Sequence, residues 1–123
     1  MTSRQPLIVV VEDDADMSRA MESMLRAADF DTVMHASAEC LLAAGLPPAA
    51  ACLLLDIHLP GMSGFDLHER LAATVCLPVV FMTAHDAPAA RARSSSAGAM
   101  AYFVKPFDGR NLIETLRRVS IRE

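Results

Sequence analysis

The sequence predicts a single doubly wound α/β domain, a parallel five-stranded sheet with helices on both faces. Three observations carry that expectation. Five short strand-like runs recur along the 123 residues, and three of them, Leu7–Val11, Cys52–Leu55 and Pro78–Met82, lack the polar alternation of half-exposed strands, as strands buried on both faces require. Segments with helical spacing of apolar residues alternate with these runs, and each crossover must bury its stripe against the sheet. Pro, Gly and Asp punctuate the joins.

Leu7 to Val11 is the first run; Glu12, Asp13, Asp14 and Asp16 follow it, and then Met17, Ala20, Met21, Met24, Leu25 and Ala28 recur at helical spacing. Asp14 or Asp16 can cap that helix, since a carboxylate accepts its free N–H groups and suits its positive end. Glu12 and Asp13 lie earlier, where no cap is required. Phe30 to His35 reads as the second strand, and Ser37 opens a small helix that ends near Gly45, before Pro47 and Pro48. The stretch ACLLLDIHLPGMSG, residues 51–64, delivers Asp56 to the carboxyl end of the third strand. Ser63 with Asp66 resembles a capping box for a helix carrying Phe65, Leu67 and Leu71. Val75 to Leu77 lead into a fourth strand, Pro78 to Met82, with Thr83 at its end. The next helix is expected from about Asp86 to Gly98 with Pro88 in its first turn. Ser94, Ser95 and Ser96 make it weak by propensity and the most mobile of the helices. Tyr102 to Val104 forms the fifth strand, ending at Lys105-Pro106, and Asp108 caps a last helix that buries Leu112, Ile113, Leu116 and Val119. One domain, residues 1–123 with a core of about 6–120, accounts for the chain; residues 1–5 and 121–123 are expected to fray.

Composition narrows the function classes. No apolar run approaches the roughly 20 residues that span a bilayer, and the five-residue run near the N-terminus is followed at once by acids, unlike a signal peptide. A soluble, cytoplasmic domain without a membrane partner is expected. Cys40, Cys52 and Cys76 are odd in number and in no CxxC arrangement, which argues against disulfides and zinc; each is expected as a small core residue. The net charge of −4 and the lack of a basic stripe argue against direct nucleic-acid binding. Lys105 is the only lysine among arginines.

The strand ends bring together a chemical set: Glu12 and Asp13 after the first strand, Asp56 after the third, Thr83 after the fourth and Lys105 after the fifth. In open α/β sheets ligands bind at that edge. Three neighbouring carboxylates repel unless a cation neutralises them. A hard divalent ion, Mg2+ (or Mn2+), takes such oxygens together with phosphate oxygens. Asp56 can attack phosphorus as a nucleophile. Asp13, helped by Glu12, would hold the ion, with the backbone carbonyl of His58 completing its shell, while the Thr83 hydroxyl and the Lys105 ammonium would contact phosphoryl oxygens.

With these motifs in place, the chain resembles the receiver domains of two-component response regulators. The resemblance rests on VVVEDD (residues 9–14), LLLDIHLPGMSG (53–64), VVFMTA (79–84) and GAMAYFVKPF (98–107), and it covers essentially the whole chain. It implies a flavodoxin-like strand order 2-1-3-4-5. By residue it implies Asp56 as phosphoacceptor, Glu12 and Asp13 as the acidic pair, Thr83 as switch hydroxyl, Lys105 as the lysine of the site and Tyr102 as the aromatic switch. The Lys105-Pro106 bond resembles one that is cis in the family and aims the lysine inward. A sensor histidine kinase or phosphotransfer protein would supply the phosphoryl group. Thr83 would then move toward it, Tyr102 would follow, and the surface around the fourth helix, fifth strand and fifth helix would change, with dimerisation through that face as one consequence. Such a domain is no conventional enzyme; it catalyses only its own phosphorylation and dephosphorylation.

His58 and His85 depart from common usage at positions that flank the phosphoryl group in the family. They are expected to set phosphoryl lifetime and to make it depend on pH near neutrality, where imidazole titrates. His35 and His68 read as surface residues. Rival functions fit less well. A flavin or dinucleotide site needs a small, Gly-rich loop after the first strand, where this chain has EDDAD. An aspartyl phosphatase of the haloacid dehalogenase type places a second Asp where His58 stands. A receiver-like module that no longer accepts phosphate would not need the retained acids, Thr83 and Lys105. A chain complete at Glu123 would signal by docking or phosphate relay, and a longer one through an attached output domain.

Overall fold

A computed structural model describes residues 5–120, so the termini expected to fray lie outside the described residues except Gln5, which is exposed. Five strands alternate with five helices: β1 (Leu7–Val11), α1 (Ala15–Ala27), β2 (Asp31–His35), α2 (Ala38–Ala44), β3 (Ala50–Asp56), α3 (Gly64–Ala72), β4 (Val79–Thr83), α4 (Pro88–Ser96), β5 (Ala101–Val104) and α5 (Gly109–Ser120). The sheet is parallel, in the order β2-β1-β3-β4-β5. Its strand order reverses between β1 and β3, which opens a crevice beyond their carboxyl ends. Among the described residues no helix is long and apolar enough to cross a membrane.

Alternate residues of each strand feed opposite core layers, because successive side chains point to opposite faces. Ile8, Val10, Leu54, Val80 and Met82 pack with Leu25 of α1 and with Leu112 and Leu116 of α5. Val9, Val11, Leu53, Leu55 and Phe81 pack with Leu41 of α2 and with Phe65 and Leu67 of α3. Each fully buried Leu or Phe contributes roughly 1.5–3 kcal/mol, so burial on both faces holds the central strands rigidly. The helix α4 is attached differently. Its one buried residue is Ser94, and its N-cap, Ala87, makes no side-chain hydrogen bond.

Several local expectations hold. Asp14 caps α1, Ser37 caps α2 and Ser63 caps α3 through side-chain oxygens, and the Asp108 carboxylate accepts the Arg110 N–H at 2.9 Å. Others are corrected. Only half of the Ser63–Asp66 capping box forms, because the Asp66 carboxylate turns instead to the Arg93 guanidinium at 3.1 Å. α4 starts at Pro88 rather than near Asp86, whose carboxylate is occupied elsewhere. Of the cysteines only Cys52 is buried. Cys76 sits in the loop before β4, and Cys40 lies on the outer face of α2 with its sulfur 3.1 Å from the His35 Nδ1. His35 and His68 are half-buried rather than superficial. Burial lowers both imidazole pKa values, and His68 meets the edge of Phe81 at 5.7 Å between centroids.

Gly64 fixes how β3 turns into α3. Its N–H donates to the Ile57 carbonyl at 3.0 Å, and a Cβ at this position would lie 2.2 Å from the Asp56 backbone oxygen and 2.9 Å from its carbon. Backbone cannot yield as a flexible side chain can. Gly64→Ala is therefore expected to destabilise the domain by about 3 kcal/mol. Gly98→Ala, at φ +76 past the end of α4 with nothing within 4 Å of the added carbon, should lose only about 1 kcal/mol. Urea midpoints of the two variants check this order, and equal midpoints would rule out the clash.

Candidate functional site

Sheet register assembles the site. Val11 pairs with Leu55, so Glu12 and Asp56 are the next residues on adjacent strands; Thr83 pairs with Val104, so Lys105 follows directly on the neighbouring strand. The Lys105-Pro106 bond is cis. Lys105 Nζ donates to Asp56 Oδ2 at 2.8 Å and to Glu12 Oε1 at 2.6 Å. The second oxygen of each carboxylate is also held: Asp56 Oδ1 accepts the His58 backbone N–H at 2.9 Å, and Glu12 Oε2 accepts the Asp14 N–H at 3.0 Å. Asp56 is thereby fixed in one orientation.

Asp13 is exposed beside this buried pair, and one carboxylate oxygen from each of Glu12, Asp13 and Asp56 falls within 4.8 Å of the others. Electrostatics show an incomplete balance. Burial raises the Glu12 carboxyl above its usual 4.5; the Lys105 and Asp14 hydrogen bonds oppose the rise without cancelling it, and the charge of Asp56 adds to it. Burial alone would lower the Lys105 pKa, but its bonds to Asp56 and Glu12 outweigh that and hold the ammonium above 10.5. Three carboxylates thus face one ammonium. The oxygen-only donor set and its residual negative charge suit a hard divalent cation.

Thr83 is buried at the same edge, but its hydroxyl is engaged within its own loop. It donates to the His85 carbonyl at 3.2 Å and accepts the His85 N–H at 2.9 Å. The rings of His58 and His85, from the loops after β3 and β4, meet edge to face with centroids 5.4 Å apart. Tyr102 lies half-buried on β5 and packs against the core, with its hydroxyl donating to Asp86 Oδ1 at 3.1 Å. The structure therefore joins Glu12, Asp13, Asp56 and Lys105 in one cluster, with Thr83 nearby in a separate hydrogen-bonded turn.

Sequence reasoning missed two supporting groups. Glu39 of α2 accepts the Met62 N–H at 2.9 Å and so steadies the loop that follows Asp56. Asp86 and Arg91 pair around Tyr102. No spacing signal marks either: Glu39 acts across 23 residues, and a separation of five is not a helical i,i+4 pair.

Comparison with known proteins bears directly on this geometry. The family model described as the response regulator receiver domain matches residues 8–117. The chain is a response regulator receiver domain. Accepting a phosphoryl group is the general function of this family, whose members are signalling phosphoacceptors rather than classical enzymes. The receiver domain is 31% identical to nodulation protein W of Bradyrhizobium diazoefficiens, over 98% of this chain and 54% of that protein. It is 32% identical to response regulator protein TmoT of Ectopseudomonas mendocina, over 95% of this chain and 54% of that protein. It spans about half the length of these curated relatives. Among solved structures, the non-phosphorylated HemR receiver domain from Leptospira biflexa superposes with a TM-score of 0.86 at 28% identity, covering 97% of this chain and 98% of that one.

Proposed function

We propose that Asp56 is the phosphoacceptor of this receiver domain, in a reaction that depends on Mg2+ or Mn2+. The observation that carries this reading is the placement of Asp56: a buried carboxylate at the switch-point crevice, held at one oxygen by the only lysine and at the other by the His58 N–H. An Asp56 oxygen forms the new P–O bond while the P–N bond of a phosphohistidine breaks and the imidazole leaves. Glu12, Asp13, Asp56 and the His58 carbonyl would hold the divalent cation, which would supply charge neutralisation to phosphoryl oxygens. Lys105 is placed to transfer its ammonium contact from Asp56 to an incoming phosphoryl oxygen. The Thr83 hydroxyl leaves His85 to do the same, and Tyr102 moves with that loop. Incubation with Mg2+ and acetyl phosphate tests the reading: intact mass should rise by one phosphoryl group per chain, and chelation of the metal should prevent it. No gain with metal present would overturn it.

The phosphodonor in this reading is a sensor histidine kinase or phosphotransfer protein in the cytoplasm. Output passes through the surface around α4, β5 and α5, with a phosphorylation-dependent homodimer as one form of it; unchanged sedimentation after phosphorylation would count against the dimer. Residues 6–120 form the folding unit, and nucleic acid and membrane are not direct partners of this domain. The His58 and His85 rings meet edge to face on the loops that follow Asp56 and Thr83, and in this reading they hinder the attacking water. His85→Ala should therefore shorten the phosphoryl lifetime several-fold. His58→Asn should do likewise, with decay after removal of acetyl phosphate as the measurement. Lifetimes equal to wild type in both variants would remove the histidines from this role.

A further inference from the structure

We infer that Asp86 and Arg91 form a brake that holds Tyr102 in its present position and so sets how readily the domain switches. This inference rests on the proposed roles of Thr83 and Tyr102. Asp86 and Arg91 are joined by two hydrogen bonds, Nε to Oδ1 at 2.8 Å and Nη2 to Oδ2 at 2.9 Å. The Tyr102 hydroxyl donates to the same Asp86 Oδ1 at 3.1 Å, and the Arg91 guanidinium lies 4.8 Å from the centroid of the Tyr102 ring. Each of the three side chains thus touches the other two. A cation over the ring face and a carboxylate on the hydroxyl both favour the position the tyrosine now holds.

The clasp ties together three elements that the switch must separate. Asp86 stands in the loop after β4, Arg91 on α4 and Tyr102 on β5. That loop also carries the two bonds between Thr83 and His85, and Asp86 is the next residue. Drawing the Thr83 hydroxyl toward a phosphoryl group breaks those bonds and moves the residue that anchors Tyr102. The N-terminal end of α4 has no side-chain cap at Ala87, and Ser94 is the helix's one buried residue, while Arg93 ties its later turn to Asp66 and Glu69 of α3. Both members of the ion pair are substantially exposed, with side chains 40% and 57% accessible for Asp86 and Arg91. Water therefore weakens the pair, and the brake tunes the equilibrium rather than locking it.

A ligand that binds only the switched state has its apparent affinity reduced by the fraction of molecules not yet switched. Releasing the brake should strengthen binding of a phosphoryl mimic. Tyr102 is the only tyrosine and tryptophan is absent, so ultraviolet emission above the phenylalanine range reports this one side chain. Beryllofluoride is titrated into the full chain with Mg2+ while Tyr102 emission is followed. Half-saturation should fall about two- to five-fold in Asp86→Asn and in Arg91→Ala. Arg91→Lys, which keeps the charge but loses the bidentate fork, should fall between them and wild type. Wild-type half-saturation in both Asp86→Asn and Arg91→Ala would overturn the brake, as would saturation without any change in Tyr102 emission.

A second measurement needs no phosphoryl mimic. Burial and the Asp86 hydrogen bond hold the Tyr102 phenol above its usual 10, so absorbance titration of Asp86→Asn should show earlier ionisation. Coincident titrations would overturn the clasp even in the resting protein. A wild-type chain that takes up no beryllofluoride while showing the shifted titration would instead sink the Asp56 reading, and the switching role of the brake with it.

Discussion

Asp56→Asn is expected to remain folded and to gain no phosphoryl mass from acetyl phosphate with Mg2+, while wild type gains one group per chain. An amide at residue 56 has no anionic oxygen to attack phosphorus and no charge to offer a cation. The substitution should not harm the fold. Asp56 is one of the charges that raise the Glu12 carboxyl, and removing it leaves Lys105 still bonded to Glu12. Thermal stability equal to or above wild type, combined with loss of labelling, would show that Asp56 serves chemistry rather than packing. Labelling of Asp56→Asn at the wild-type level would place the acceptor elsewhere.

Lys105→Met should have a large effect on stability. The lysine side chain is 13% exposed, those of Glu12 and Asp56 are 1% and 6% exposed, and both carboxylates bond to the same ammonium. Removing the cation leaves two buried acids uncompensated, a loss of about 3 kcal/mol, or on the order of 10 °C in melting temperature for a domain of this size. The signs follow from the pKa shifts. Lys105 is raised above 10.5 in the fold, so its stabilisation is fully present at neutral pH and is lost only as pH rises through that raised value. Glu12 is raised above 4.5, mainly by burial, so its ionised form weakens the fold at neutral pH and protonation on acidification relieves this. Without Lys105 the Glu12 shift grows. The deficit of Lys105→Met should therefore be larger at pH 7.5 than at pH 5, and Mg2+ should raise its melting temperature more than that of wild type. Thermal melts at both pH values, with and without metal, check this. A deficit independent of both would exclude the electrostatic account. Phosphorylation should also fall, because no ammonium remains to meet the transferred phosphoryl oxygens.

The amino-acid sequence alone determined the sheet, its four crossovers and the identity of the residues at the strand ends. Apolar runs without alternation demand burial on both faces, and the acids, Thr83 and Lys105 follow those runs directly, so their shared edge is a consequence of strand order. Caps at Asp14, Ser37, Ser63 and Asp108 were legible for the same reason, since each acts within three residues. Tertiary structure decided what local spacing cannot encode. Which oxygen of Asp56 meets Lys105 depends on contacts across 49 residues, and the Asp86 carboxylate is held by Tyr102, 16 residues away. Cys40 and Cys76 turn outward because their segments lie on the outer face of a short helix and in a loop. Thr83 bonds to His85, a choice made by the loop that follows β4 rather than by the strand that delivers it. The sequence thus named the reacting groups from periodicity and position, whereas their hydrogen-bond partners were set by long-range packing, which brings distant charges close enough to compete for them.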